Sequence, residues 1–214
     1  MIDSTEKIYG NYRGKVLAID TDESSKSGKL KIEVYPCFEG IDYEYIPWAV
    51  PAMPLFDGAG SGDHGDYGCL NIPTVGSYVW VFFEAGDIYQ PVYFAEAQTP
   101  DVGIPSEALT NYPTRKVLKT SGGVIIYIDD TSDTIVIENH SGNVIQIDDE
   151  ITLTHSTGSK IYIDSAGNIN IEGKAVTIDG TSIDITTTSG LGYISMSALG
   201  AVVIEGLTVD INPV

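Results

Sequence analysis

The sequence predicts an all-β protein in two parts, a small closed barrel followed by a rod of short strands. The first observation is a change of composition near residue 115. Nine of the ten prolines lie at or before Pro113, and every tryptophan and phenylalanine lies before residue 95. The second is a period-two alternation of apolar residues from Val124 to Ile211, a segment with 18 isoleucines and no Pro, Phe or Trp. This composition and period are typical of half-buried strands.

The first part contains short apolar segments separated by turn signals. Residues 12–20 and 29–35 predict a hairpin around the polar loop 21–28. Residues 78–84 predict a strand with large side chains on both faces, and residues 91–94 predict the last strand of the set. We interpret this part as five short strands, which favours a small closed barrel.

Two proline-rich segments divide the chain further. Residues 47–68 hold prolines at positions 47, 51 and 54, which argue against a central strand, and glycines that predict a mobile loop. Residues 99–113 hold three prolines and predict a linker, with one capped helical turn at residues 106–109. We therefore expect a barrel over residues 1–98, a linker over residues 99–118 and a rod over residues 119–214.

The rod segment alternates apolar pairs with turn units such as Ser141-Gly142-Asn143. We interpret each pair as one strand, including Val176 with Ile178 and Ile183 with Ile185. One chain of such strands, without Phe or Trp, cannot bury enough surface alone. Three chains wound about one axis would bury the Ile and Val side chains in a thin prism. At about 4.8 Å between strands, this rod would be about 50 Å long.

Composition excludes several classes of protein. Thirty acidic against eleven basic residues give a net charge of −19, which repels nucleic acid and anionic lipid. No apolar run approaches the length of a membrane helix, and the first seven residues show no secretory signal. Beyond Lys174 there is no Lys or Arg, so the distal rod would be purely acidic. The two cysteines, Cys37 and Cys69, predict buried thiols rather than a disulfide framework.

Motifs that could carry chemistry are interpreted as structural. Residues 60–65 match Gly-x-Gly-x-x-Gly, but no helix can follow, and Asp63 and Asp66 would repel a pyrophosphate. These aspartates with His64 could ligate a metal, although polar residues in a glycine loop are more often solvated. We therefore predict no cofactor and no metal site.

The acidic pairs and the remaining histidines receive the same interpretation. The acids at residues 129–130 and 148–150 could suggest a glycosidase pair, but neighbours in a strand point to opposite faces, and acids in turns are usually hydrated. His140 and His155 are predicted to lie at the surface. We predict that the chain is not an enzyme.

Three motifs together resemble a known family. They are Tyr-Arg-Gly-Lys-Val at residues 12–16, the block at residues 73–92, and Lys-Thr-Ser-Gly-Gly at residues 119–123 followed by Asp129-Asp130. The middle block follows Pro-x-Val-Gly-x-x-Val-Trp-Val-x-Phe-Glu-x-Gly-Asp and ends in Pro-Val. These residues are similar to the central spike proteins of contractile phage tails and related injection machines, also called baseplate assembly protein V.

The resemblance implies an N-terminal OB-fold barrel followed by an intertwined trimeric β-helix. It implies a homotrimer in the tail baseplate of a virion, assembled in the host cytoplasm. The barrel would dock on the baseplate hub protein, and the rod would pierce the host envelope on sheath contraction. Candidate residues of the barrel core or the hub contact are Trp48, Trp80, Phe82 and Phe83.

Two departures from the family affect what is carried over. Some relatives insert a lysozyme domain between barrel and rod, and residues 99–115 are too short for one. Many small relatives end in an iron-binding His-x-His pair, whereas the last histidine here is His155. We therefore expect a small tip protein of the proline-alanine-alanine-arginine repeat type to cap the rod. The distal tip is assigned to Val209, Asp210, Ile211, Asn212, Pro213 and Val214.

Two alternatives remain open. The spike of a type VI secretion apparatus belongs to the same class of machinery, but those chains usually carry a hub domain before the barrel, and only eleven residues precede Tyr12. A trimeric receptor-binding or carbohydrate-binding fibre would also use a β-helix. It should show exposed aromatic platforms, for which Tyr127, Tyr162 and Tyr193 are the candidates.

Overall fold

The computed structural model describes residues 7–22, 26–54, 68–100 and 103–183. Within these ranges the regular structure is β, apart from short 3-10 turns. The strands form two separate sheets, a closed barrel and an open seven-stranded sheet. The predictions of an all-β protein and of a closed five-stranded barrel are therefore confirmed.

The barrel strands follow one another in the order β1-β2-β3-β5-β4, and β4 closes the barrel on β1. Neighbouring strands are antiparallel except for β3 and β5, which are parallel. This arrangement is consistent with an OB-like barrel. The strands are Tyr12–Ile19 (β1), Leu30–Val34 (β2), Trp48–Pro51 (β3), Tyr78–Phe83 (β4) and Pro91–Glu96 (β5).

The barrel core forms from residues that alternate along the strands. On β4, the side chains of Val79, Val81 and Phe83 point inward and are buried. The ring of Phe83 contacts Phe38 edge to face and Tyr12 at a tilt, with ring centroids 5.8 and 5.7 Å apart. Offset and edge-to-face ring packing is favourable beyond the area that it buries. Three rings therefore pack together around Phe83, and the rest of the buried core is aliphatic apart from Tyr93.

The strand β3 corrects the expectation that residues 47–68 hold no central strand. Trp48–Pro51 pairs with β2 on one side and with β5 on the other. The prolines are compatible with this strand because Pro47 precedes it and Pro51 is its last residue. The next residue, Ala52, donates its N–H to the Tyr93 carbonyl at 2.8 Å, so the pairing continues past the proline.

The second sheet is an antiparallel meander in which each strand pairs with the next along the chain. Connections of a few residues join the strands, as in consecutive β-hairpins. A 3-10 turn at Ser106–Leu109 precedes the sheet, where the sequence predicts a helical turn. The strands are Arg115–Lys119 (β6), Ile125–Asp129 (β7), Thr134–Glu138 (β8), Val144–Ile147 (β9), Ile151–Thr154 (β10), Lys160–Ile163 (β11) and Ile169–Glu172 (β12).

Two further expectations are corrected. Residues 173–183 form no strand, although Val176 with Ile178 was predicted to form one. Alternation alone does not make a strand, because the backbone also needs a hydrogen-bonding partner. Both cysteines are free thiols, but Cys69 is exposed rather than buried and Cys37 is half-buried. His140 and His155 are exposed, as predicted.

Candidate functional site

One face of the second sheet is almost entirely aliphatic. The register is regular from β7 to β12, so the apolar residues on this face of one strand stand directly opposite those of the next strand. Each of these strands contributes two side chains, which form two continuous ladders. One ladder is Ile126, Ile137, Ile145, Leu153, Ile161 and Ile171, and the other is Ile128, Ile135, Ile147, Ile151, Ile163 and Ile169. We call these twelve residues the aliphatic face.

The opposite face of the same sheet is mixed and becomes polar toward β12. The residues that alternate with the aliphatic face along β9 to β12 include Gln146, Thr152, Tyr162 and Asn170, which stand opposite one another in a third ladder. We call this side the polar face. The sheet is therefore strongly two-sided, as expected when one side packs against protein and the other meets water.

Nothing in the described part of the chain covers the aliphatic face. Eleven of its twelve side chains are exposed, from 39% at Ile126 to 72% at Ile169. Soluble proteins rarely expose contiguous apolar patches of this size, and such patches mark interaction surfaces. An open groove of about 360 Å³ continues this surface where residues 173–177 pass beside Leu153, Ile161 and Ile171. The aliphatic face is the principal candidate for a functional surface.

The meander collects its connections into two rows with different charge. The turns at residues 130–133, 148–150 and 164–168 lie along one side of the sheet and carry six carboxylates and no Lys or Arg. We call this side the acidic row. The turns at residues 120–124, 139–143 and 155–159 lie along the other side and carry no Asp, Glu, Lys or Arg. We call this side the neutral row.

Four of these turns share one local construction. In each, the fourth residue is a glycine with positive φ, and its N–H donates to the carbonyl oxygen of the first residue. At Asn139 and Asp164, the side-chain oxygen also accepts N–H groups within its own turn at 2.8 to 3.0 Å. Side chains of Asn and Asp favour such turns because they substitute for a backbone acceptor. The first residues of the four turns are Thr120, Asn139, His155 and Asp164.

A buried polar cluster fixes the first two strands of the sheet. The carboxylate of Asp129 is completely buried. It accepts hydrogen bonds from Asn111 Nδ2 at 2.6 Å, from Arg115 Nε at 2.7 Å and from the Thr131 N–H at 3.0 Å. The guanidinium of Arg115 also stacks over the Tyr127 ring, 4.5 Å from its centroid. The expectation that acids in this segment are simply hydrated is wrong for Asp129.

This environment sets the ionisation of Asp129. Burial acts to raise the pKa of the carboxyl group, but the hydrogen bonds from Arg115, Asn111 and Thr131 outweigh it and hold the pKa below its ordinary value. The carboxylate is therefore charged and fully partnered at neutral pH. Two ion pairs accompany it, one between Lys116 and Asp130 and one between Lys119 and Glu107 at 2.6 Å.

The four predicted aromatic residues of the barrel do not lie together. Phe83 is a core residue, exposed by only 4%. Trp80 and Phe82 alternate with the buried residues of β4 and are half-buried on the outside of the barrel. Trp48, on β3, is 41% exposed. The sequence left core and contact roles open for these residues, and their positions assign Phe83 to the core.

Basic and aromatic partners of the outer residues were not anticipated from the sequence. Arg13 stacks on Trp80, with its guanidinium 5.2 Å from the ring centroid, and Phe82 contacts Phe94 at 5.9 Å. Lys31 lies over Trp48 at 4.8 Å and donates to the carbonyl oxygens of Ile46 and Glu44. The pairing of β4 with β1 and with β5, and of β2 with β3, brings these residues together, and this pairing is not visible in a linear pattern.

Two observations concern side chains that could ligate a metal ion or act as an acid–base pair. Within the four described ranges, no three His, Cys, Asp or Glu side chains are grouped as a metal site would require. Asp129 and Asp130 stand in different environments, the first buried beside Arg115 and the second exposed beside Lys116. The candidate tip residues at positions 209–214 and the glycine-rich loop at residues 60–65 lie outside the described residues.

Comparison with known proteins adds no family assignment. No model of a protein family matches the chain, and no curated protein matches it. In the part of the chain that the structure describes, no helix is long and apolar enough to cross a membrane.

Proposed function

We propose that this chain is the central spike of a contractile tail baseplate, acting as a homotrimer. In this proposal the OB-like barrel docks on the baseplate hub, and the strand-rich second part is the rod that is driven through the host envelope. The motifs quoted above motivate the assignment to this machinery. The observation that carries the proposal is the exposed aliphatic face.

The aliphatic face supports association between copies of the chain. Burying an Ile or Leu side chain completely is worth about 1.5–3 kcal/mol relative to leaving it exposed. Twelve such residues lie on one continuous surface, so even partial burial gives a large driving force. A second copy of the same face offers apolar surface of the same length and spacing. The aliphatic face of one copy is therefore suited to pack against the aliphatic faces of other copies.

The width of the sheet favours three copies. Its strands are four or five residues long, which corresponds to about 13–17 Å. Three walls of this width form a triangular prism whose walls lie about 4–5 Å from the axis, half of the usual 10 Å between packed sheets. Ile and Leu side chains fill that distance. Four walls would lie about 7–8 Å from the axis and leave an unfilled channel.

A rod of this kind suits a mechanical role. In the sheet that runs from β6 to β12, each of the strands β7 to β11 is hydrogen-bonded to two neighbours. Sideways bending of a closed prism has to break several of these bonds together, because its three walls share one core. The polar faces would be directed outward to solvent. Driven from behind by sheath contraction, such a rod would transmit force without buckling.

The first experiment is the mass of the purified full chain by light scattering, before and after mild SDS at room temperature. We expect a mass of three times 23.0 kDa that survives the detergent. A chain that stays monomeric over the whole concentration range would overturn the proposal. A stable dimer would remove the prism and with it the spike assignment.

A matched pair of substitutions locates the interface. Ile151 and Thr152 are neighbours on β10 that point to opposite faces. We expect Ile151→Asp to release monomers, because a carboxylate would be buried in the apolar centre of the prism. Thr152→Asp carries the same new charge on the polar face and should remain assembled. Equal behaviour of the two variants would contradict burial of the aliphatic face.

The receptor-binding fibre receives less support than the spike. Its candidate platforms Tyr127 and Tyr162 are each covered on one ring face by a cation, Arg115 and Lys160 respectively. Tyr162 also donates its hydroxyl to Glu172 at 3.1 Å. Rings with these partners are poor stacking surfaces for a sugar. Release of dye from labelled peptidoglycan by the pure protein would contradict the non-enzymatic assignment.

A further inference from the structure

The two rows of turns along the second sheet differ in charge and in hydrogen-bonding character. The acidic row holds six carboxylates, which are Asp130, Asp133, Asp148, Asp149, Glu150 and Asp164. The neutral row holds no carboxylate and is rich in hydroxyl and imidazole groups, which can donate hydrogen bonds. Lys119 and Lys160 flank its first and last turns, and each is paired with a carboxylate, that of Glu107 and that of Glu172 respectively.

We infer that neighbouring copies meet row to row, with the acidic row of each copy lying along the neutral row of the next. This inference rests on the proposed function and names the contact that joins the three walls. The contacts between rows would lie at the corners of the prism, whereas the aliphatic faces would lie at its centre.

The symmetry of a ring supports this pairing. Copies related by rotation about one axis use two different surfaces in each contact, so one side of every sheet meets the opposite side of its neighbour. With the aliphatic face turned to the axis, the two sides that meet are the two rows. An arrangement that placed acidic rows together would bring twelve carboxylates side by side, which is unfavourable.

The positions of the turns along the stack of strands are also compatible with contact between an acidic row and a neutral row. The turn at residues 148–150 joins β9 to β10, whereas the turns at 139–143 and 155–159 join the strands immediately before and after. In a ring of copies at equal height, the acidic turns at residues 130–133 and 148–150 therefore each lie between two turns of the neutral row, and the acidic turn at residues 164–168 lies next to the last of them. The exposed hydroxyls of Ser141 and Ser156 and the imidazoles of His140 and His155 are the donors at this level.

Charge exchange between the rows tests the inference. The neutral-row variant carries Ser141→Glu with Ser156→Glu, and the acidic-row variant carries Asp149→Lys with Glu150→Lys. The side chains of the two serines make no hydrogen bond in the described chain, so their loss should not disturb the turns. The control carries Thr152→Glu with Thr181→Glu, which adds the same charge outside both rows.

The neutral-row variant should dissociate at least tenfold more readily than the control in light scattering at low salt. Combining it with the acidic-row variant in one chain should restore association. Raising the salt to 1 M should largely remove the defect, because the Debye length falls to about 3 Å. Circular dichroism of each variant distinguishes loss of association from loss of folding.

The outcomes separate this inference from the proposed function. A trimeric wild type with no difference between neutral-row variant and control would overturn the row pairing and leave the spike proposal standing. Failure of the combined variant to recover would also overturn it. A monomeric wild type would overturn both proposals.

Discussion

Arg115 stands directly opposite Asp129 across the ladder that joins β6 to β7, and its Nε lies 2.7 Å from a carboxylate oxygen of that residue. The carboxylate is completely buried, and the guanidinium is mostly buried against Tyr127. Asn111, from the segment before the sheet, donates a second hydrogen bond to the same oxygen. The pair therefore ties the incoming chain to the first hairpin of the second sheet.

The low pKa of Asp129 makes the stability of the sheet dependent on pH in the acid range. Its carboxyl group has a pKa below the ordinary value of about 3.9 in the folded chain, so the unfolded chain binds more protons as the pH falls below about 4. The stabilisation is present at neutral pH and is lost as the pH falls through the folded-state pKa. Asp148, Asp164 and Glu107 have pKa values lowered in the same direction.

We predict that Asp129→Asn lowers stability at pH 7 and reduces its dependence on pH below about 4. The measurement is the urea midpoint by circular dichroism between pH 2 and pH 7, at one protein concentration. Asp179→Asn, at an exposed position outside both rows of turns, removes the same charge and serves as the control. The prediction fails if the two variants show the same pH dependence.

The barrel should be sensitive to the smallest enlargement at Gly14. A Cβ there would clash with Cγ2 of Ile32 and lie 3.1 Å from the Glu33 carbonyl oxygen, which cannot move freely because it belongs to the β2 backbone. We expect Gly14→Ala to destabilise the barrel by about 1–3 kcal/mol. Both tryptophans lie in the barrel, so guanidinium unfolding followed by tryptophan fluorescence reports this change.

Gly103 provides the control for Gly14, since a Cβ at that position meets no atom within 4 Å. Gly103→Ala should leave the fluorescence midpoint unchanged. An equal midpoint for Gly14→Ala and the wild type would show that β1 and β2 can separate at no cost.

The hydroxyl of Tyr93 links β5 to the loop before β2. It is buried and donates to the Gly28 carbonyl at 2.6 Å. Tyr93→Phe leaves that carbonyl without this partner, and we expect a loss of about 1–2 kcal/mol in the free energy of unfolding. Tyr89→Phe, at a residue that is 65% exposed, is the matched control and should be nearly neutral.

The buried phenol of Tyr93 should also make the stability of the barrel depend on pH in the alkaline range. Burial raises the pKa of its phenol to about 12, compared with about 10 in an unfolded chain. Between these values the unfolded chain releases a proton that the folded chain retains, so stability falls as the pH rises. Tyr93→Phe should remove part of this decline. Tyr35, with a pKa also raised to about 12, remains in the variant and accounts for a residual slope.

The recurring turns depend on a residue that tolerates positive φ. Gly167 has a φ of 86°, and a Cβ there would meet no neighbouring atom, so the cost of a side chain is purely conformational. We expect Gly167→Ala to destabilise the sheet by about 1–2 kcal/mol, and Gly167→Asn to cost less, because Asn adopts this conformation more readily. Thermal unfolding by circular dichroism gives the order, and an equal effect of Ala and Asn would argue against backbone strain.

Local patterns predicted most strands because alternation and turn residues act over a few positions. The strands around Val79 and Val81, and those from Ile125 to Ile171, follow from the sequence in this way. The strand at Trp48–Pro51 did not, because its existence depends on pairing with β2 and β5 and its prolines lie at permitted ends.

The surfaces were harder to predict than the strands. Period-two isoleucines indicated an apolar face, but only the register shows that they align into two unbroken ladders. The burial of Asp129 has no local signal, since its partners Asn111 and Arg115 are 18 and 14 positions away. The stacking of Lys31 on Trp48 likewise requires the pairing of two strands that are distant in sequence.

The meander also restricts how the second sheet can change in length during evolution. Deleting one strand with its turn would reverse the direction of every later strand and move each later turn to the other side of the sheet. Deleting or inserting a whole hairpin preserves both sides and changes the length by about 9–10 Å. Relatives with longer or shorter sheets should therefore differ by even numbers of strands. Selection for sheet length alone would not produce this restriction to even numbers.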